Sequence, residues 1–252
     1  MITIMKNALK ERIRRKELYI VMAVGILLIL LCSSDSTSIS MNGEPLVGFR
    51  NMFMVMHVLI HVISCLLAVV LSLRTIPKEY ERRNSHLVWV RGIGQAEYHA
   101  GLAAANVLAT AFSAAFLYMV LAGYAVAKGH ASYVVRMLPA YLILTVSVSI
   151  VSLLVSVLSI CLPSMAVGIL AVLFAGFGVL HGFLEIFKNA VGGAGSASMS
   201  FLLKVIPDLN GLQKQAYNLI IGERVDLHLV WFGLFVLWVI SSGFFIFKKK
   251  EA

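Results

Sequence analysis

Long apolar runs are the feature of this 252-residue chain that most restricts its fold. A helix that spans a bilayer needs about 20 mainly apolar residues, and six runs approach or exceed that length. The runs are Leu18–Cys32, Phe53–Leu73, Leu102–Ala127, Met137–Leu162, Ser164–Leu184 and Leu227–Phe247. Charged residues make up only 13% of the chain, about half their usual share in a soluble domain. The sequence therefore predicts an all-α integral membrane protein in which one domain contains six transmembrane helices.

The first 17 residues form a basic segment with helical periodicity. Its apolar residues lie on one face of a helix, with lysines and arginines on the others; they are Ile2, Met5, Leu9 and Ile13. This pattern predicts an amphipathic helix over residues 1–17 that lies in the membrane plane and leads into the first span. A cleaved signal peptide is the alternative, but Ile29–Cys32 has bulky residues where cleavage requires small ones.

Lysine and arginine are distributed unevenly between the two sides of the predicted bundle. With the N-terminus inside, the cytoplasmic segments hold two thirds of the 21 Lys and Arg residues. Because cytoplasmic loops are enriched in positive charge, both termini are predicted to be cytoplasmic. The net charge of +9 lies in short clusters beside apolar runs, so it indicates contact with anionic membrane lipid rather than nucleic acid.

The turn at Pro163 is so short that the fourth and fifth runs are predicted to form an antiparallel hairpin. One stripe of the fourth run carries hydroxyls, and one stripe of the fifth carries small residues. The first stripe comprises Thr145, Ser149, Ser152, Ser156 and Ser159, and the second Gly168, Ala171, Ala175, Gly178 and Gly182. Such stripes are typical of close helix packing. The alternative interpretation places Ser149, Ser152, Ser156 and Ser159 on a substrate path.

Histidine is the residue inside the predicted spans that can carry a charge near neutral pH, because no Asp, Glu, Lys or Arg lies within any of the six runs. Carriers driven by protons or sodium usually place charged groups there, so the energy source is predicted to lie elsewhere. His57, His61 and Cys65 follow one another at single-turn intervals on the second run. One helix supplies too few ligands for a metal ion, so polar packing or a substrate-facing patch is favoured over a metal site.

Motifs of soluble catalysis are absent from the sequence. There is no GxxxxGKS/T phosphate-binding loop, no HExxH helix and no GxSxG nucleophile elbow. The chain is therefore predicted not to be an enzyme and to hold no cofactor. Any work that it performs must be powered by a partner or by a gradient.

The predicted cytoplasmic loop, residues 74–101, combines charged and aromatic residues. Helix formers at Lys78–Arg83 precede the apolar group Leu87–Val90. This composition predicts a short helix along the membrane surface that offers one face to another protein. A merely solvated loop would not require Trp89 or Tyr98.

In this loop the chain resembles the permease subunits of ABC-2 type transporters, whose second and third spans are joined by a cytoplasmic segment of similar pattern. The matching residues are Glu79, Glu81, Asn84, Ser85, Leu87, Val88, Gly92, Tyr98 and Gly101. The basic first helix, the six runs and the long outer segment are also similar to that family. Within it, the layout is most similar to permeases of multicopper-enzyme maturation and of bacteriocin or antibiotic export and immunity.

This resemblance implies a coupling helix that docks on a separate ATP-binding subunit, in which ATP and Mg would be bound. The implied contact residues are Lys78, Glu79, Tyr80, Glu81, Arg82, Arg83, Trp89, Arg91, Glu97 and Tyr98. Two copies of the permease would then work with two ATPase subunits in a bacterial cytoplasmic membrane. The implied substrate is amphiphilic: a peptide, an antibiotic or a lipid-like molecule.

The predicted extracytoplasmic segment, residues 185–226, has a flexible Gly-rich stretch followed by two short apolar pieces, Phe201–Ile206 and Leu219–Ile221. Both pieces are too short to span a membrane, so short helices that dip into the outer leaflet are expected. Residues that fit ordinary turns and caps surround them; these are Pro207, Asp208, Gly211 and Glu223.

Other functions are compatible with the same sequence. A gradient-driven carrier or channel is one alternative. A membrane metal-binding or assembly factor that uses His57, His61 and Cys65 is a second. A scaffold or immunity protein that binds a partner without transport is a third.

Overall fold

The computed structural model describes most of the chain as α-helix. The described residues are 2–14, 19, 23, 25–27, 30, 40–41, 44–45, 48–81, 92–190 and 194–247. Their helices are α1 (Ile2–Arg14), α2 (Phe49–Leu73), α3 (Thr75–Glu81), α4 (Gln95–Ala127), α5 (Ser132–Cys161), α6 (Ser164–Val179), α7 (His181–Ala190), α8 (Ala194–Val205), α9 (Leu209–Ile221) and α10 (Leu227–Ile246). A minimal antiparallel strand pair joins β1 (Ser40–Met41) to β2 (Glu44–Pro45).

Within the described residues, four helices are long and apolar enough to cross a membrane. They are Phe49–Glu81, which combines α2 and α3, together with α4, α5 and α10. The shortest, α10, has 20 residues, which corresponds to about 30 Å of helix and matches the hydrocarbon core of a bilayer. These helices cover the predicted spans 53–73, 102–127, 137–162 and 227–247 almost completely, and they indicate a membrane-embedded protein.

The fifth predicted span, Ser164–Leu184, is not one straight helix. Helix α6 ends at Val179, and α7 leaves it at an angle of 74°. Counted as one bent span, this pair brings the described membrane-length helices to five. The predicted hairpin with α5 is present, because Pro163 adopts an extended conformation between two helices that pack together.

The first predicted span, Leu18–Cys32, lies for the most part outside the described residues. The described positions within it are helical, and Gly25 packs against Leu117 of α4 and Ile63 of α2. Helix α1 agrees with the predicted N-terminal helix, but it packs against protein. Its residues Ile4, Ala8 and Leu9 lie on the hydrophobic core, and α1 runs along α4.

Helix α5 is the centre of the bundle, in contact with α2, α4, α6, α9 and α10. Its buried residues are distributed around the helix rather than along one stripe, as expected for a helix surrounded by others. Helix α10, in contrast, buries Gly233, Gly243 and Phe244 and exposes most of its aromatic residues. A Cβ atom at Gly243 would lie 3.0 Å from Val157, so this glycine permits the close approach of α10 to α5.

Helix α9 contains the short apolar piece Leu219–Ile221, and it packs into the protein core. Leu209, Leu212, Ala216 and Ile220 of α9 lie in the main hydrophobic core, and α9 packs against α5 along its length. The expected caps are present. Asp208 accepts a hydrogen bond from Gly211 N at 2.6 Å, and Gly222 ends the helix at a φ of 84°, where glycine is favoured.

The contact between α6 and α9 predicts different effects for the same substitution at two glycines of α6. A Cβ atom at Gly178 would lie 2.7 Å from the Leu209 side chain, whereas one at Gly176 would meet nothing within 4 Å. Gly178→Ala should lower the thermal stability of the detergent-purified protein by about 1–3 kcal/mol, because it overpacks the core. Gly176→Ala should leave that stability unchanged or raise it, because alanine favours the helix. Equal effects in thermal unfolding would contradict this packing.

Candidate functional site

Helix α2 continues into α3 through one turn residue, Arg74. Thr75 and Ile76 at the start of α3 are buried, and Ile76 lies in a hydrophobic cluster with Leu102 of α4. Pro77 occupies the first turn of α3, where its missing N–H breaks no helical hydrogen bond. Helix α3 is therefore anchored at its beginning and extends the long helix α2 at one end of the bundle.

Two side-chain hydrogen bonds tie α3 to the beginning of α4. Tyr98 Oη donates to Glu79 Oε2 at 2.7 Å, and Tyr80 Oη bonds with His99 Nε2 at 2.8 Å. Tyr98 and His99 are buried, where a polar group without a partner is costly. We call the unit formed by α3 and the first turn of α4 the α3–α4 junction.

The junction contains several of the residues predicted to contact a partner, and it uses some of them internally. Glu79, Tyr80 and Tyr98 bond within the chain. Glu81 and Glu97 are exposed, and Lys78 is half-buried. The remaining predicted contact residues lie outside the described residues; they are Arg82, Arg83, Trp89 and Arg91.

A second group of polar side chains, which we call the histidine cluster, lies inside the bundle. His57 of α2 contacts Tyr118 of α4 through Nε2 and Gln213 of α9 through Nδ1, the latter at 2.8 Å. His61 Nε2 bonds with Ser147 Oγ of α5 at 2.8 Å. All five side chains are buried. The cluster therefore joins four helices through two histidines of one helix.

The partners of His57 assign its tautomer. The amide nitrogen of Gln213 can only donate, so His57 Nδ1 accepts this hydrogen bond. A neutral imidazole then carries its proton on Nε2 and donates it to Tyr118 Oη. Both ring nitrogens of His57 are thereby satisfied by protein groups, which fits a neutral side chain in an apolar interior.

The same contacts bear on the metal site considered for His57, His61 and Cys65. Cys65 Sγ lies 3.6 Å from His61 Nε2, but His57 directs its two nitrogens to Tyr118 and Gln213. Within the part of the chain that the structure describes, no group of three or more His, Cys, Asp or Glu residues could hold a metal ion. The arrangement is that of polar packing between helices.

Only His57 and His61 of the cluster were predicted from the sequence; Tyr118, Ser147 and Gln213 were not. Gln213 lies on the buried face of α9 together with Leu209, Leu212, Ala216 and Ile220. The 3–4 spacing of those apolar residues is the signal that identifies an amphipathic helix here, with Gln213 on its inward side. The apolar piece Leu219–Ile221 contains only the last turn of that pattern.

The serine stripe of α5 faces α2 and α4. Ser152 Oγ bonds with Ser72 Oγ at 2.8 Å, and Ser156 Oγ accepts from Asn106 Nδ2 at 3.3 Å. Ser159 donates to the carbonyl oxygen of Val155 in its own helix, and Ser149 is also buried. These contacts are those of helix packing.

The small-residue stripe of α6 lies against α2 and α9 rather than against the serine stripe of α5. Gly168 approaches Leu73 of α2, and Gly178 approaches Leu209 of α9. The two stripes therefore do not face each other as a matched pair. Each one serves a separate helix contact.

An ion pair lies at the end of the bundle opposite the α3–α4 junction. Arg50 at the start of α2 contacts Glu223, which follows α9. Tyr217 Oη of α9 donates to the carbonyl oxygen of Arg50 at 3.1 Å. Both charged side chains are more than half exposed, so water screens the pair and its contribution to stability is small. The histidine cluster and the apolar face of α9 hold that helix more firmly.

Comparison with protein-family models and with curated protein sequences finds no match to this chain.

The histidine cluster predicts energetic coupling between His57 and Gln213. Each of His57→Leu and Gln213→Leu should lower the free energy of unfolding by about 1–3 kcal/mol, because the other residue loses its buried partner. The double variant should lose less than the sum, with a coupling energy of about 0.5–3 kcal/mol from thermal unfolding in detergent.

The control pair combines His57→Leu with Gln215→Leu. Gln215 also lies on α9, but it bonds with Asp226 N instead. Its effect should add to that of His57→Leu. Additivity for Gln213→Leu as well would rule out the His57–Gln213 contact.

Proposed function

We propose that this chain is the membrane-spanning permease subunit of an ABC exporter, which moves an amphiphilic substrate and is driven by ATP hydrolysis in a separate ATPase subunit. The observation that carries the proposal is the α3–α4 junction. There a short helix with charged residues at its end continues α2 and is hydrogen-bonded to the start of α4. The resemblance of this segment to the coupling region of ABC-2 permeases supports the same function.

The junction connects the proposed docking surface to two membrane-length helices, as such coupling requires. A force applied by a partner at Lys78–Glu81 acts on α2, because α3 follows it with one intervening residue. The same force acts on α4 through the Tyr98–Glu79 and Tyr80–His99 bonds. Two membrane-length helices would therefore move together when the partner closes.

The interior of the bundle supports an external energy source. None of the six apolar runs contains Asp, Glu, Lys or Arg, and His57 and His61 of the histidine cluster bond with neutral groups. A carrier driven by a gradient usually needs an ion-binding charge within the membrane. In the proposed exporter, ATP and Mg are bound by the partner ATPase, and this chain contributes no catalytic group.

The proposed arrangement has six spans, counting Leu18–Cys32, with both termini in the cytoplasm and residues 185–226 outside. The bias of Lys and Arg toward the N-terminus, the 74–101 loop and the C-terminus supports it. The α3–α4 junction is then cytoplasmic, and the Arg50–Glu223 pair is extracytoplasmic. Two copies of the chain would enclose the substrate path between them.

Charge reversal at the exposed end of α3 tests the docking of the ATPase. Glu81→Lys should reduce co-purification of the chain with the ATPase encoded beside it, and with it transport-linked ATP hydrolysis, because Glu81 is exposed on the proposed contact surface. Glu185→Lys is the control, since this glutamate is also exposed but lies on the proposed outer side. Equal co-purification and hydrolysis in the two variants would overturn the proposal.

Removal of one hydrogen bond between α3 and α4 tests whether the junction transmits force from the ATPase. Tyr98→Phe deletes the hydroxyl that donates to Glu79, and such a bond to a charged group contributes about 1.5–3 kcal/mol. The ATPase should still co-purify, while substrate-stimulated ATP hydrolysis should fall several-fold. Tyr133→Phe, at the opposite end of the bundle, should leave both quantities unchanged. Normal coupling in Tyr98→Phe would show that the junction is not a rigid unit.

A further inference from the structure

Asn106 of α4 is the only asparagine or glutamine within the six apolar runs. Its side chain is fully buried, although asparagine disfavours the interior of a helix. A buried amide also costs free energy unless it is hydrogen-bonded. Polar residues in such positions typically join one helix to another.

The amide of Asn106 connects α3 to α5. Its Nδ2 donates to Ser156 Oγ of α5 at 3.3 Å, and its Oδ1 accepts from Thr75 Oγ1, at the start of α3, at 3.0 Å. The partners determine the orientation of the amide. Ser156 has one hydroxyl hydrogen and donates it to the carbonyl oxygen of Ser152 at 2.9 Å, so toward Asn106 it can only accept. The amide nitrogen therefore faces α5, and the amide oxygen faces α3.

The hydroxyl of Thr75 has two acceptors for its single hydrogen. One is Asn106 Oδ1, and the other is the carbonyl oxygen of Leu71, one turn earlier in α2; both lie 3.0 Å from Thr75 Oγ1. Threonine can donate to such a carbonyl within a helix. If α3 moves away from α4, the hydroxyl can donate to Leu71 alone. Opening the bond to α4 then leaves one buried atom without this partner, Asn106 Oδ1, rather than two.

Apolar side chains hold the same three helices together. Ile76, the residue after Thr75, is fully buried in a cluster with Leu102 of α4 and Val157 of α5. The start of α3 therefore contacts both helices through a polar and an apolar side chain in succession. The apolar cluster keeps the helices close, and the Asn106 amide adds a directional bond toward each of α3 and α5.

We propose that Asn106 is a positioning residue that transmits movement of α3 to the central helix α5. This inference rests on the proposed exporter function, in which the ATPase docks on α3. Movement of α3 makes or breaks the Thr75–Asn106 bond, while Ser156 keeps Asn106 attached to α5. The tyrosine bonds of the α3–α4 junction connect α3 with α4, and the Asn106 amide extends that connection to α5. Because α5 contacts α2, α4, α6, α9 and α10, its movement reaches most of the described bundle.

Deletion of single hydroxyls tests the proposal in the complex of the full chain with the ATPase encoded beside it. Thr75→Val and Ser156→Ala should co-purify with the ATPase as the wild type does, while the rate of ATP hydrolysis by the complex falls several-fold. Thr75→Ser should restore that rate, because serine keeps the hydroxyl. Thr145→Val and Ser113→Ala are the matched controls and should hydrolyse ATP normally, since each of these hydroxyls donates within its own helix.

Thermal unfolding of the chain in detergent tests the same link without the ATPase. When Thr75→Val and Ser156→Ala are combined, the fall in melting temperature should be smaller than the sum of the two single falls. Either substitution alone already breaks the link through Asn106, so the second one has less to remove. In a chain that also carries Asn106→Leu, the two falls should add.

The outcomes separate this role from the exporter function. Normal ATP hydrolysis in Thr75→Val and Ser156→Ala, beside an active wild-type complex, would overturn the role of Asn106 alone. Equal losses in Thr145→Val or Ser113→Ala would also overturn it, as would additive falls in melting temperature with Asn106 present. A wild-type chain that binds no ATPase would instead overturn the exporter function, and this role with it. If Thr75→Val fails to assemble, Ser156→Ala reports on the same link.

Discussion

Polar side chains buried within a membrane-embedded bundle are stabilised when they bond with one another, because hydrocarbon offers no partner. In this protein the hydrogen bonds between buried side chains determine which helices are in contact and how each helix is rotated about its own axis. His57 joins α2 to α4 and α9, and His61 joins α2 to α5. Ser72 and Ser152 repeat the connection between α2 and α5 closer to the C-terminal ends of both helices. Apolar packing tolerates small rotations of a helix, whereas each of these hydrogen bonds is satisfied in one arrangement. Helix α5 is the element that most of the bundle shares.

At the α3–α4 junction, near the end of the bundle, polar side chains also bond with one another. Glu79, Tyr80 and Tyr98 carry the polar chemistry of a partner surface, yet they bond with residues of their own chain. The internal bonds and the exposed charge of the junction have different roles. A contact at Glu81 can move both α2 and α4 only if the hydrogen bonds between α3 and α4 remain intact. In the proposed exporter the internal bonds transmit force and the exposed residues receive it.

Much of the fold could be predicted from the sequence, because the length and composition of apolar runs report directly on membrane-length helices. The true helices extend beyond those runs where backbone hydrogen bonding continues through polar residues, as in Gln95–Gly101 of α4. The bend after Val179 was not predicted, because apolar residues continue across it as far as Leu184. Glu79 and Tyr98 were recognised as important residues, but their pairing was not. The role of Gln213 was also missed, because its partner lies on a helix that no local pattern connects to it.

The contact between His57 and Gln213 joins residues 156 positions apart in the chain, and this separation affects the order of biosynthesis. Helices α2, α4 and α5 all leave the ribosome before α9 does. During that interval His57 has the hydroxyl of Tyr118 available, but its second ring nitrogen has no protein partner until Gln213 arrives. A buried ring nitrogen without a hydrogen-bond partner costs free energy. The hydrogen bonds of His57 are therefore complete only when the segment before the last described helix has been made.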